Sequence, residues 1–183
     1  MVGLAVLAVL GTATFGLWNW ANQPSKAQYI NDSSASNEVK GTSTTLEDYS
    51  SSFFATKISS DFKVKNQSET QNSPIVGQYL LTGKQVYSSD QLAITIGTAK
   101  STDINEVSGY KFRKTYPDDY VQTISDAGYP AGCVVFTKKS SYEKSVFWIY
   151  NGKYAAVVVS GGADHRAELE NGISAVLANW QWL

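Results

Sequence analysis

The sequence is short of the residues that most often carry chemistry. Its 183 residues include one cysteine, one histidine and one methionine. A lone cysteine closes no intramolecular disulfide, so stability has to come from burial, which a domain of this size can supply. One histidine with one cysteine also excludes a zinc site of nitrogen and sulfur ligands within a single chain. Neither Gly-x-x-x-x-Gly-Lys-Ser/Thr nor Gly-x-Gly-x-x-Gly occurs, which removes the familiar phosphate cradles. No charge is in excess: 15 basic residues face 16 acidic ones, for a net charge of -1. That balance gives no electrostatic footprint for nucleic acid and no acidic tail. Asp118-Asp119 beside Pro117 lacks the spacing of a calcium loop and reads as a turn. Cys133, in the apolar run Cys133-Val134-Val135-Phe136, reads as a small buried hydrophobe. The expectation is therefore no metal, no cofactor and no catalytic cysteine.

Charge is missing most completely at the start. The first 25 residues carry no charged side chain, and Lys26 is the first charge. As a helix, Met1 to Trp18 spans roughly 27 Å, and roughly 30 Å if extended to Trp20. A bilayer core is ~30 Å thick. Trp18 and Trp20 fall at the outer end, where indoles favour the headgroup level. The preferred reading of residues 1–21 is a single-pass membrane anchor. A cleaved signal peptide is the alternative, because Ser25-Lys26-Ala27 is a small-x-small site after Pro24, and cleavage following Ala27 would give a secreted protein. A buried core helix ranks last. The usual basic n-region is absent: either the start lies upstream of Met1, or the free α-amino group is the only inside charge. Residues 22–48, rich in Ser, Thr and Asn, read as a flexible polar linker that buries too little to offset ordering.

Residues 49–183 read as one α+β domain. Phe53 to Ile58 and Phe62 to Lys65 are strand-like runs around Ser59-Ser60-Asp61, and Leu92, Ile94 and Ile96 alternate as in a sheet with one buried face. Asp103 to Lys114 reads as a helical turn followed by a strand around Tyr110 and Phe112. Asn151-Gly152 between Ser145–Tyr150 and Lys153–Val159 is a strong hairpin signal, since both central residues of a type I′ turn need positive φ. With Gly132 to Lys138 this predicts three consecutive antiparallel strands, with Trp148 and Ala156 to Val159 in central ones. After Gly161-Gly162, Leu169, Ile173, Val176, Leu177, Trp180 and Leu183 form one stripe, so an amphipathic C-terminal helix is expected to pack on the sheet, with Gly172 permitting close approach. Lys111, Arg113, Lys114, Lys138 and Lys139 read as a solvated sheet face.

The last half carries a resemblance. A Gly128-Tyr129-Pro130-Ala131-Gly132 turn precedes a strand. The hairpin Phe147-Trp148-Ile149-Tyr150-Asn151-Gly152-Lys153 follows, and the closing helix leads to Ala178-Asn179-Trp180-Gln181-Trp182-Leu183. This arrangement resembles the PsbP-like and DcrB-like domains, in which a Gly-x-Pro-Ala loop precedes a meander and the closing helix ends in a Ser-Phe-x-x-type motif. Phe53 to Ile96 resembles the family's opening hairpin and third strand. The chain departs from the family at Ile58-Ser59-Ser60-Asp61-Phe62, which lacks the Pro and Trp of the usual Tyr-Pro-x-x-Trp. The resemblance covers roughly Tyr49 to Leu183. It implies an antiparallel sheet with helices on both faces, a mostly non-enzymatic assembly or binding role, and exported or membrane-tethered proteins.

Three functions compete on these residues. The first is a bacterial-type, membrane-tethered, extracytoplasmic module that binds a protein partner without catalysis, its candidate surface built from the loop aromatics Tyr116, Tyr120, Tyr129 and Tyr142. The second is a cell-surface hydrolase using Ser160, Asp164 and His165. Against it, Asp164 is expected to cap a helix and to leave His165 exposed, and adjacent helical residues do not face each other. The third is a pilin-like filament subunit, ranked last because the usual glutamate early in the apolar helix is absent.

Overall fold

The computed structural model describes residues 45–70, 73–83, 89–124 and 128–183. The proposed anchor and its Trp18 and Trp20, Ala27, and the linker up to residue 44 lie outside the described residues. Among the described residues no helix is long and apolar enough to cross a membrane.

Among the described residues ten strands form two sheets, and every pairing is antiparallel. The small sheet has the order β1-β2-β10, from Leu46–Ser50, Phe54–Ser59 and Gln181–Trp182. The large sheet has the order β3-β4-β5-β9-β8-β7-β6. Its members are β3 (Phe62–Glu69), β4 (Ile75–Gly83), β5 (Gln91–Thr98), β6 (Tyr120–Ile124), β7 (Val134–Lys138), β8 (Tyr142–Tyr150) and β9 (Lys153–Gly161). The chain leaves the middle of this sheet at β5, crosses one face through a 3₁₀ turn (Ile104–Glu106) and helix α1 (Ser108–Thr115), and re-enters at the far edge as β6. It then meanders back until β9 pairs with β5. The second helix, α2 (Arg166–Ala178), follows a 3₁₀ turn at Ala163–His165.

The central strands are where the sequence placed them. β9 is fourth of seven, and Ala155 to Val159 are all buried, as are Tyr142 to Trp148 of β8. Asn151 takes φ 47° and Gly152 φ 72°, the two positive angles of the expected tight turn. Leu92, Ile94 and Ile96 point one way from β5 and are at most 1% exposed. They meet Val157, Val159, Leu169 and Ile173 in the larger core, beneath α2 and the small sheet. Phe147, Ala156 and Phe136 point the other way and meet Val107 and Tyr110 of the α1 region. Helices therefore lie on both faces. Gly172 of α2 has the role expected of it, because a Cβ there would collide with the Phe62 ring.

Four expectations are corrected. β1 begins at Leu46, inside the segment 22–48 expected to be linker; its five residues pair in register with β2 from Leu46↔Ser59 to Ser50↔Ala55. Tyr110 and Phe112 lie on α1 rather than on a strand, because their spacing puts Tyr110 and Arg113 on the sheet-facing side. The runs on either side of Ser59-Ser60-Asp61 are not an opening hairpin: β2 belongs to the small sheet and β3 pairs with β4. The C-terminal helix does not carry the stripe to Leu183. It stops at Ala178, where the Asn179 side chain donates to the Ala175 carbonyl at 2.9 Å. Gln181 and Trp182 then pair with Ala55 and Phe54, leaving Leu183 67% exposed.

Candidate functional site

Titratable side chains gather where β9 gives way to α2. His165 is not the exposed residue the sequence suggested. Its imidazole Nδ1 lies 2.8 Å from Asp90 Oδ2 and its Nε2 lies 3.4 Å from Asp164 Oδ2. The His165 side chain is only 16% accessible. Asp164 makes no capping hydrogen bond to the turn that follows Gly162, and the Gly162 N–H itself donates to Asp90 Oδ1 at 3.3 Å. Asp90 reaches this position because Gly161 has no side chain: a Cβ there would overlap the Asp90 carboxylate and press on Leu169. Asp164 and His165, neighbours in the 3₁₀ turn Ala163–His165, do touch, contrary to the expectation for adjacent helical residues.

Chemically this is an imidazole with both nitrogens facing carboxylate oxygens. A general base would need one nitrogen turned toward a nucleophile. Ser160 is not that nucleophile in this arrangement. Successive strand residues alternate across a sheet, and Gly161 faces Asp90 and Leu169 on the α2 side. Ser160 therefore turns to the α1 side, in register with Gln91 and Glu143. The sequence brought Asp164 and His165 together and misplaced Ser160. It gave no sign of Asp90, which precedes Gly162 by 72 positions and has no local pattern pointing to it.

The four tyrosines do not form one surface. Tyr116 ends α1 at 43% exposure, its ring 4.7 Å from Phe112. Tyr120 is not in a loop: it opens β6, is 6% exposed and lies beneath the Arg113 guanidinium, 5.5 Å from its ring. Burial, with the Glu143 carboxylate adding to it, pushes the Tyr120 hydroxyl up to about 12. Tyr142 likewise opens β8 and is buried, on the α2 side of the sheet, with the Arg166 guanidinium 5.5 Å from its ring. Burial and then the neighbouring Glu170 carboxylate push its hydroxyl pKa upward. Tyr129 is half-buried, with Lys144 Nζ 5.2 Å from its ring centre.

The basic residues expected on a solvated sheet face divide as well. Lys111, Arg113 and Lys114 are on α1, and Arg113 is 8% exposed, so it is no part of a solvated face. Arg113 Nε and Nη2 both donate to Glu143 Oε1, at 3.2 and 2.7 Å, and Nη1 donates to the Gly109 carbonyl. Ser145 Oγ donates to the same Glu143 oxygen at 3.0 Å. On the opposite face Lys144 Nζ pairs with Glu170 Oε2 at 2.9 Å. The Arg113–Glu143 and Lys144–Glu170 pairs each tie a helix to β8.

An aromatic cluster that the sequence reading did not assemble lies where β8, β10 and the end of α2 meet. Trp180 stacks on Phe54 at 4.3 Å, and Trp148 meets Trp180 edge to face at 4.9 Å. Tyr150, 53% exposed, stacks on Trp182 at 5.9 Å. The Trp148 and Trp180 indole N–H groups are buried and have no hydrogen-bond partner among the described residues. The Phe-Trp-Ile-Tyr and Asn-Trp-Gln-Trp runs were visible in the sequence, but their convergence depends on β10, which was not.

No protein-family profile and no curated protein matches this chain. Among solved structures it is similar to the solution structure of cyanobacterial PsbP (CyanoP) from Synechocystis sp. PCC 6803, with a TM-score of 0.46 and 14% identity over 81% of this chain and 98% of that one.

Proposed function

We propose that this chain is a membrane-tethered, extracytoplasmic module of PsbP-like type that binds or assembles a partner without catalysing a reaction. The observation that carries the proposal is the contrast between a 25-residue opening free of charge and a domain whose buried charges bridge secondary-structure elements. Arg113–Glu143, Lys144–Glu170 and His165–Asp90 each join two elements. A group committed to such a tie is less available for turnover. The half-exposed rings of Tyr116 and Tyr150 offer contact area of the kind partners use. Tyr120 and Tyr142 serve the interior.

The test is flotation of the full chain with lipid vesicles after a high-salt wash, paired with protease accessibility in intact cells. The expected result is that the chain floats and that its folded part is cut from outside. Soluble cytosolic fractionation of the full chain, leader intact, would overturn the reading. The Asp90–His165 contact favours one competitor, a hydrolase with an oriented imidazole. That competitor requires hydrolytic turnover that is lost in His165→Ala, and turnover retained in that variant removes it.

A further inference from the structure

The two outer edges of the large sheet are built differently. β3 carries Lys63 and Lys65, and its register with β4 breaks between Val64 and Asn66. Lysines and a bulge on an edge strand oppose pairing with another chain. β6, at the other edge, has neither. Tyr120-Val121-Gln122-Thr123-Ile124 is uncharged, free of proline and rich in β-forming residues, and it runs beside β7 without a register break. Val121 is 47% exposed, and Gln122 and Thr123 are exposed too. Among the described residues no strand pairs with its outer side.

The ladder sets which backbone groups face outward. The Lys139 N–H donates to the Asp119 carbonyl at 2.8 Å, just before the Tyr120↔Lys138 pair. Antiparallel pairs alternate between bonded and non-bonded, so Gln122 and Ile124 turn their N–H and C=O groups away from β7. The Tyr120 N–H is already donated to the Tyr116 carbonyl at 3.2 Å.

We propose that β6 is a self-association edge, at which a second copy of this chain adds its own β6 antiparallel across a two-fold axis through Gln122. The geometry is self-complementary, as a two-fold contact must be. Gln122 opposes Gln122 of the second copy, and their outward N–H and C=O groups exchange reciprocal hydrogen bonds. Val121 opposes Thr123, and the outward Ile124 N–H meets the Tyr120 carbonyl. No charge on the strand meets its own copy. The same operation centred on Val64 of β3 would set Lys63 against Lys65, which disfavours pairing. Two seven-stranded sheets would become one continuous sheet. This does not depend on the membrane reading and survives its failure.

The test uses the full chain in detergent micelles. Sedimentation should show a dimer, and Gln122→Lys, which places like charges on the axis, should weaken it by more than about tenfold with thermal unfolding unchanged. Gln122→Cys should oxidise to a covalent dimer, because Cα atoms of a bonded antiparallel pair lie about 5.5 Å apart, within disulfide reach. Lys63→Cys, which retains the buried Cys133 as Gln122→Cys does, should not. A monomeric wild-type chain overturns the proposal, as does a dimer indifferent to Gln122→Lys or equal cross-linking at the two edges. So does a different protein's extended segment found on β6 of a monomer.

Discussion

The two faces of the large sheet are sealed by different means. Toward α2 and the small sheet, Leu92, Ile94, Val157, Leu169 and Ile173 are all within 1% of full burial, and Phe54, Trp180 and Tyr79 extend that core through ring contacts. Toward α1 the corresponding depth holds an arginine and a glutamate, 8% and 4% exposed, with Tyr120 and Phe147 rings 5.5 and 5.3 Å from the guanidinium. An apolar face loses stability in proportion to the volume removed. A face built round a buried ion pair loses little when both charges go together and much when one goes alone. The difference follows from size: α1 is eight residues long and offers few apolar side chains, so Arg113 covers sheet that a longer helix would cover with hydrocarbon.

The largest effect should come from the α1 face. Arg113→Ala leaves Glu143 buried with only Ser145 to help it, and should cost about 3–5 kcal/mol in urea unfolding. The double variant Arg113→Met, Glu143→Leu should recover most of that loss; a double variant as unstable as the single one would show that the pair is not what closes this face. On the other face Leu92→Ala should cost about 2–5 kcal/mol. Because its contacts lie across the sheet from Arg113, the two losses should add to within about 0.5 kcal/mol, and marked non-additivity would mean that the faces are not independent. Gly172→Ala, which drives a methyl into the Phe62 ring, should cost about 1–3 kcal/mol and be partly rescued by Phe62→Leu.

The smallest effect is electrostatic and belongs to the α2 face. Burial alone would raise the Glu170 carboxyl, but the hydrogen bond from Lys144 and the nearby Tyr142 hydroxyl outweigh it and hold the group below the usual 4.5. Glu69 is also held low, by hydrogen bonds from Ser52 and Tyr79. In both cases the unfolded chain takes up a proton before the folded chain does. Their contribution is complete above pH 4.5 and declines as pH falls below it. Thermal melts from pH 6 to pH 3 should show the decline, and Glu170→Gln should flatten it.

Legibility followed the range of the interaction. The Asn151-Gly152 turn, the alternation in β5 and the close approach at Gly172 are set by neighbouring residues or by one element's own period, and the sequence displayed them. Which strands pair over long separations was not displayed. β2 and β3 look like a hairpin because only two residues separate them, yet they enter different sheets. Helix α1 reads as a strand because Tyr110 and Phe112 alternate, while the second buried position of that helix is an arginine. At the candidate site Asp164 and His165 were legible as neighbours, whereas Asp90 and the opposite facing of Ser160 come from register across β5, β9 and β8.

The small sheet has a mechanical consequence. β2 is gripped on one side by β1 and on the other by β10, and among the described residues the β1 backbone pairs with no other strand. Load arriving along the chain from before Thr45 enters at Leu46, the end of β1 that lies opposite Ser59, so it would peel the strand bond by bond instead of shearing it. Five residues of β1 would then pay out roughly 17 Å of chain, giving up the Tyr49 contact with Gln67 of β3 on the way, before the backbone ladder of the large sheet was loaded. Under such a pull the first strand would yield ahead of the sheet behind it.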